Sequence, residues 1–155
     1  MTECRSAGGV VALEDGRLFA IGGHNGLPIF ASVECYHRRG HHIPLTNPSN
    51  TPFNPGSRRV WRQVAPMLHR RCRHGVAVLR GRIFAAGGYN GCHFLRSVEV
   101  YEPSAVGAPA SGSGGDLGLG QWTEVPPLST PRSRVALASS CGRLYAIGMT
   151  TVLLS

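Results

Sequence analysis

The feature that most constrains this chain is an internal repeat, because a repeated segment must bury its apolar surface against copies of itself. Displacing the sequence by 65 residues lays residues 10–13 on 75–78, and Asp15-Gly16-Arg17 on Arg80-Gly81-Arg82. The same step lays LFAIGG (18–23) on IFAAGG (83–88), Asn25-Gly26 on Asn90-Gly91, and SVECY (32–36) on SVEVY (97–101). A step of 61 in the other direction lays Arg132-Ser133-Arg134 on Arg71-Cys72-Arg73, residues 142–148 on 81–87, and Trp122 on Trp61.

Within each copy the apolar runs are about five residues long and are punctuated by glycine, which is strand length and too short for helices. Strands are therefore expected at 10–14, 17–21, 32–36 and 60–64, then at 75–79, 82–86, 97–101 and 121–125. A third copy supplies 135–139 and 143–147 and then departs from the pattern. Asp15-Gly16, Arg80-Gly81 and Cys141-Gly142 predict two-residue hairpin turns, since X-Gly supplies the positive φ such turns need. The pairs Gly22-Gly23 and Gly87-Gly88 end the second strands. Their use is close backbone approach, and no helix follows that would make them phosphate loops. In the third copy Met149 stands where the second glycine should be, and the TTVLLS that follows matches nothing in a repeat.

A double glycine after a strand, Tyr36 and Tyr101 in the third strand, and Trp61 and Trp122 in the fourth resemble the kelch repeat. Each such repeat is one four-stranded blade of a β-propeller. The wording GGHNGLPIFASVE, RRCRHGV, GGYNGCHFLRSVEVY and RSRVALASSCGRLYAIG is similar to the kelch part of the kelch-like (BTB–BACK–kelch) adaptor family. The resemblance implies an all-β fold, a partial kelch propeller of two four-stranded blades plus half of a third. A first blade would occupy 1–64 with an insert at 37–59, a second 65–125 with an insert at 102–120, and a truncated third 126–155. Propellers close rings of roughly four to eight blades, so this chain reads as part of one, and alone it is expected to associate. Tyr36, Tyr101, Trp61 and Trp122 would pack within and between blades, and Glu34 and Glu99 would be structural.

The two inserts carry no periodicity. One is rich in Pro, Asn, His and Arg and the other in Gly, Ser, Ala and Pro, so loosely ordered loops are expected. The first holds His37, His41 and His42, but no Cys or carboxylate lies at ligand spacing, and no metal site is expected. Five cysteines, an odd number without C-x-x-C, point to reduced thiols and a cytoplasmic location. Neither a signal core nor a membrane-length apolar run is present among these residues. The net charge is +8 and every one of the 16 basic residues is Arg. These arginines are scattered over loops without a basic helix or an aromatic stripe, which argues against nucleic acid as a partner. No nucleophile–base pair stands out, so neither an enzyme nor a cofactor is expected.

In an up-and-down blade the loops alternate ends, so the inserts lie opposite the loops 22–32 and 87–97 and the links 66–74 and 127–134. In the family the latter face grips a peptide of a protein to be ubiquitylated. By resemblance Arg71, Arg73, Arg132 and Arg134 occupy peptide-binding positions there, beside His24, Asn25, Tyr89 and Asn90. Guanidinium forks suit carboxylates, so an acidic peptide is the expected partner. Cullin-3 would be engaged only through a BTB domain that these 155 residues do not contain. The alternatives are a kelch scaffold that binds actin or the cytoskeleton, or a fragment without independent function.

Overall fold

The structure is a computed structural model that describes residues 1–37, 61–103 and 120–150. The inserts expected at 37–59 and 102–120 lie, apart from their edge residues, outside the described residues. So do the final residues 151–155.

Among the described residues there is no helix, and ten strands fall into three antiparallel sheets. The first is β1 (Gly9–Ala12), β2 (Arg17–Ile21), β3 (Val33–His37) and β4 (Trp61–Val64), paired in sequence order. The second is β5 (Gly75–Leu79), β6 (Arg82–Ala86), β7 (Val98–Glu102) and β8 (Gln121–Val125), in the same order. The third has two strands, β9 (Arg132–Ser140) and β10 (Arg143–Thr150). These are the two four-stranded blades and half-blade of a partial propeller.

Registers repeat from sheet to sheet. Val10 faces Ala20, Val76 faces Ala85, and Leu137 faces Ala146. Inner strands meet through a knob and a gap. A Cβ on Gly9 would lie 2.5 Å from the Val76 side chain, and one on Gly75 would lie 2.8 Å from Leu137. Glycine is required at both places because the next blade's apolar side chain fills the space a Cβ would take. Val10, which holds the corresponding place in the first blade, is 66% exposed. At the other end Tyr145, Ile147 and Met149 alternate along β10 and are all exposed.

Between the first two blades lies the core, in which Phe19, Ile21, Val33, Met67, Ile83, Tyr101 and Trp122 are buried. The strand-c tyrosines sit opposite the strand-d tryptophans, with ring centroids 5.5 Å apart for Tyr36–Trp61 and 5.2 Å for Tyr101–Trp122. Phe19 meets Tyr101 edge-on across the blade boundary, and the Trp122 indole donates to the Ala65 carbonyl at 3.0 Å. Burying such rings is the largest apolar contribution a small sheet can make.

Two hairpins have the expected two-residue turns, with positive φ at both Arg80 and Gly81 and at both Cys141 and Gly142. The first blade differs. The Leu13 N–H donates to the Arg17 carbonyl, so the turn holds three residues, 14–16, with positive φ at Gly16 alone. Three-residue hairpins of this kind use one left-handed residue, usually glycine. The extra residue means the inner strands repeat at 66 residues while the second strands repeat at 65. Strand β1 accordingly starts at Gly9 rather than at residue 10.

The third blade departs from the others at its missing glycine. Gly22, Gly23, Gly87 and Gly88 all have positive φ, and their chains turn away from the sheet. At Gly148-Met149 φ is not positive. The strand instead bulges and runs on, pairing Met149 with Ser133 and Thr150 with Arg132. A Cβ on Gly88 would lie 2.6 Å from the Cys72 carbonyl, so methionine cannot make the same turn. This is why β9 and β10 are longer than the expected 135–139 and 143–147.

Candidate protein-binding face

The loops after the second strands and the links between blades come together at one end. The Gly23 N–H donates to Arg71, Met67 to Ala31, and Arg71 to Phe30. One repeat on, Gly88 donates to Arg132, Leu128 to Arg96, and Arg132 to Leu95. Isolated bridges His24–Ile29 and Tyr89–Phe94 make each loop a narrow projecting hairpin. Asn25 is exposed at one tip, and Leu27 there is 95% exposed.

Beneath this surface lies a buried arginine layer. The Arg71 Nη1 donates to the Gly87 carbonyl at 2.8 Å and to the Ser97 carbonyl at 3.1 Å. Its Nη2 donates to Ser97 Oγ and to Glu99 Oε1. Arg5 repeats the pattern in the first blade, with Gly22 at 2.9 Å, Ser32 at 3.0 Å and Glu34 at 3.2 Å. In the third blade the Arg132 Nη1 reaches the Gly148 carbonyl at 3.1 Å. The Arg5 and Arg71 guanidinium groups thus tie the end of strand b to the start of strand c, whereas Arg132 reaches only the end of strand b. The carboxylates bind main chain as well: Glu99 accepts from the Leu68 and His69 N–H groups, and Glu34 from Thr2.

This corrects the expected site. Arg71 is completely buried, and both its terminal nitrogens are engaged within the fold. It is a tie between strands and presents nothing to a peptide. Arg132 belongs to the same layer and points at its own blade. Arg5 was not among the expected site residues, because a 65-residue step sets it against Arg70. The 66-residue step of the inner strands sets it against Arg71.

Electrostatics in the layer follow from burial. Burial lowers the Arg71 pKa, and the Glu99 carboxylate opposes that. Burial raises the Glu34 carboxyl, but the Thr2 and Arg5 hydrogen bonds outweigh it, leaving a pKa below the usual value. His74 lies within van der Waals reach of both Gly22 and Gly88, with neither ring nitrogen hydrogen-bonded among the described residues. Burial, with help from the Arg71 charge, pushes its pKa down to about 3, so the imidazole is neutral.

Arg73 and Arg134 do face outward, and both are exposed. They occupy one position in successive blades, which Ala7 holds in the first. All three have positive φ, at 53°, 55° and 50° for Ala7, Arg73 and Arg134. The Arg73 N–H donates to the Ala7 carbonyl and its own carbonyl accepts from Val135, so these residues run from blade to blade along the inner rim. Arg134 lies 3.8 Å from the Met149 sulfur, whereas the Arg73 guanidinium has no hydrogen bond or ion pair among the described residues. Arg70 and Arg96 are exposed on the adjoining loops.

The loop residues are partly committed to their own hairpins. The Asn90 Oδ1 accepts from the Cys92 and His93 N–H groups, the Tyr89 hydroxyl donates to Gly91, and the His24 Nδ1 accepts from Gly26. No group of three His, Cys, Asp or Glu among the described residues could hold a metal ion. No helix there is long and apolar enough to cross a membrane.

A family model described as "Kelch motif" matches residues 5–42 and 70–129, more than half of the chain. The chain belongs to the kelch family. A Xenopus laevis influenza virus NS1A-binding protein homologue is 33% identical to this kelch chain over 117 residues, covering 70% of the chain and 16% of that protein. Mouse kelch-like protein 35 is 36% identical over 89 residues, covering 57% of the chain and 13% of that protein. The kelch chain therefore spans about one-sixth or less of each of these relatives. Among solved structures, a copper-bound fungal alcohol oxidase superposes with a TM-score of 0.66 at 17% identity, covering 96% of this chain and 28% of that one. That likeness concerns the kelch fold alone.

Proposed function

We propose that this kelch chain is a protein-binding module whose outward arginines, Arg73 and Arg134, grip an acidic peptide. The reading rests on one observation: a long cation is held at the same strained inner-rim position in two successive blades, without a carboxylate partner among the described residues. Strained backbone conformations cluster where ligands bind. An arginine fork offers a carboxylate two parallel charge-assisted bonds. In a longer protein of the kelch-like type this module would select substrates for a cullin-3 ubiquitin ligase in the cytoplasm.

The test is titration of an acidic peptide library against the chain, followed by Arg73→Ala and Arg134→Ala. Each substitution should cost on the order of 1.5–3 kcal/mol of binding, and binding should weaken with salt. Arg82→Ala, at the opposite end beside Glu102, should change little. Equal losses from Arg82→Ala and Arg73→Ala would defeat the proposal. Cosedimentation with actin filaments that survives loss of both rim arginines would favour the cytoskeletal scaffold instead.

A further inference from the structure

Both projecting loops carry Asn-Gly, as Asn25-Gly26 and Asn90-Gly91, and the two pairs are held differently. An asparagine followed by glycine can lose its side-chain amide, because the next main-chain nitrogen reaches the side-chain carbon and glycine puts no Cβ in its way. That attack needs a carboxamide free to turn, a base for the nitrogen's proton, and room for the ring that forms.

In the first loop all of these are present. Asn25 is exposed, and its side chain makes no hydrogen bond among the described residues. The Gly26 N–H donates to His24 Nδ1 at 3.2 Å, within the reach a general base requires. Accepting there leaves the neutral imidazole's own proton on Nε2. Gly26 has φ 118° and open space around a Cβ position. The second loop lacks them. Asn90 Oδ1 accepts from the Cys92 and His93 N–H groups at 2.9 and 2.8 Å, and both bonds have to break before that carboxamide can turn. Tyr89 stands in the place of His24, and its hydroxyl donates to the Gly91 carbonyl, so it offers the Gly91 nitrogen no base. A Cβ position on Gly91 lies 3.5 Å from Ile29 and 4.0 Å from Arg70.

We propose that Asn25 is a self-modifying site, at which His24 is the base for loss of the side-chain amide. The Gly26 nitrogen gives its proton to His24 Nδ1 and bonds to Asn25 Cγ. The imidazolium returns the proton to Asn25 Nδ2, the Cγ–Nδ2 bond breaks, and ammonia leaves a five-membered succinimide. Water then opens the ring at either carbonyl, giving aspartate or isoaspartate, with no change of oxidation state. Either product lowers the net charge of +8 by one. Isoaspartate also lengthens the main chain inside the hairpin that the His24–Ile29 bridge closes. The reaction is independent of the rim arginines, so its failure would leave the acidic-peptide reading of Arg73 and Arg134 standing.

The test incubates the folded 155-residue chain at neutral pH in heavy-oxygen water and follows both asparagines by peptide mapping and mass spectrometry. Asn25 should convert to labelled aspartate and isoaspartate at least ~10-fold faster than Asn90. His24→Tyr, with its fold checked by circular dichroism, should slow conversion of Asn25 by at least ~10-fold. In urea the difference between the two asparagines should vanish, because the hydrogen bonds that separate them belong to the folded loops. The comparison of Asn25 with Asn90, folded and in urea, needs no substitution. Equal rates in the folded chain, an unchanged rate in a folded His24→Tyr variant, or a difference of the same size in urea would each overturn the proposal.

Discussion

Arg71 and Glu99 form an ion pair in which neither side chain is exposed. A buried charge that loses its partner is strongly destabilising, by about 3–5 kcal/mol. Arg71→Ala should lower the unfolding free energy by that amount in urea denaturation of the chain. Arg132→Ala, which removes one bond to a carbonyl, should cost about 1.5 kcal/mol. Equal costs would mean that Glu99 draws its compensation from the Leu68 and His69 N–H groups alone.

His74 makes stability depend on pH below neutrality. Its folded pKa of about 3 lies below the ordinary 6.5, so the unfolded chain takes up a proton first as pH falls. Stability is then lost across the window from 6.5 down to about 3, at about 1.4 kcal/mol per pH unit. Val135 holds the same repeat position in the next blade. His74→Val should therefore flatten the profile between pH 6 and 4 and raise the melting temperature most at the acid end. A profile unchanged by the substitution would place the slope elsewhere.

Arg73 trades stability against binding. A non-glycine residue at φ 55° carries a backbone penalty that glycine does not. Arg73→Gly should raise stability by up to about 1 kcal/mol and at the same time remove acidic-peptide binding. Thermal melts and peptide titration on the same preparation check both halves. A variant that is less stable would show that the arginine side chain supports the rim.

Two glycines with similar φ separate conformational strain from crowding. Gly81 has φ 72° and open space around a Cβ, whereas Gly88 has φ 100° and a Cβ would meet the Cys72 carbonyl at 2.6 Å. Gly81→Ala should cost about 1 kcal/mol, the conformational penalty alone. Gly88→Ala should cost well beyond that, because the backbone of the neighbouring segment has to move. Urea midpoints of the two variants, with unchanged m-values, provide the comparison.

The repeat, the strand positions and the fold were legible in the sequence because they depend on local pattern. Five-residue apolar runs bounded by X-Gly turns have few other folded solutions, and Gly22-Gly23 and Gly87-Gly88 mark strand ends wherever they are read. Met149 could likewise be seen to break the pattern. The direction of each arginine could not be read, because RRCR offers three candidates within four residues and extended side chains alternate in and out. Only the pairing of Glu99 with Ala85, and the packing of the Leu68 and His69 main chain over its carboxylate, decided that Arg71 turns inward. The three-residue turn at 14–16 was equally hidden. One inserted residue shifts the inner strand by one place relative to its neighbour, and a single displacement of the sequence cannot represent both. Tertiary pairing restored the true equivalence of Arg5, Arg71 and Arg132. The outward set was reduced to Arg73 and Arg134 because the terminal nitrogens of Arg71 and Nη1 of Arg132 are bonded within their own blades, while Arg73 and Arg134 stay exposed.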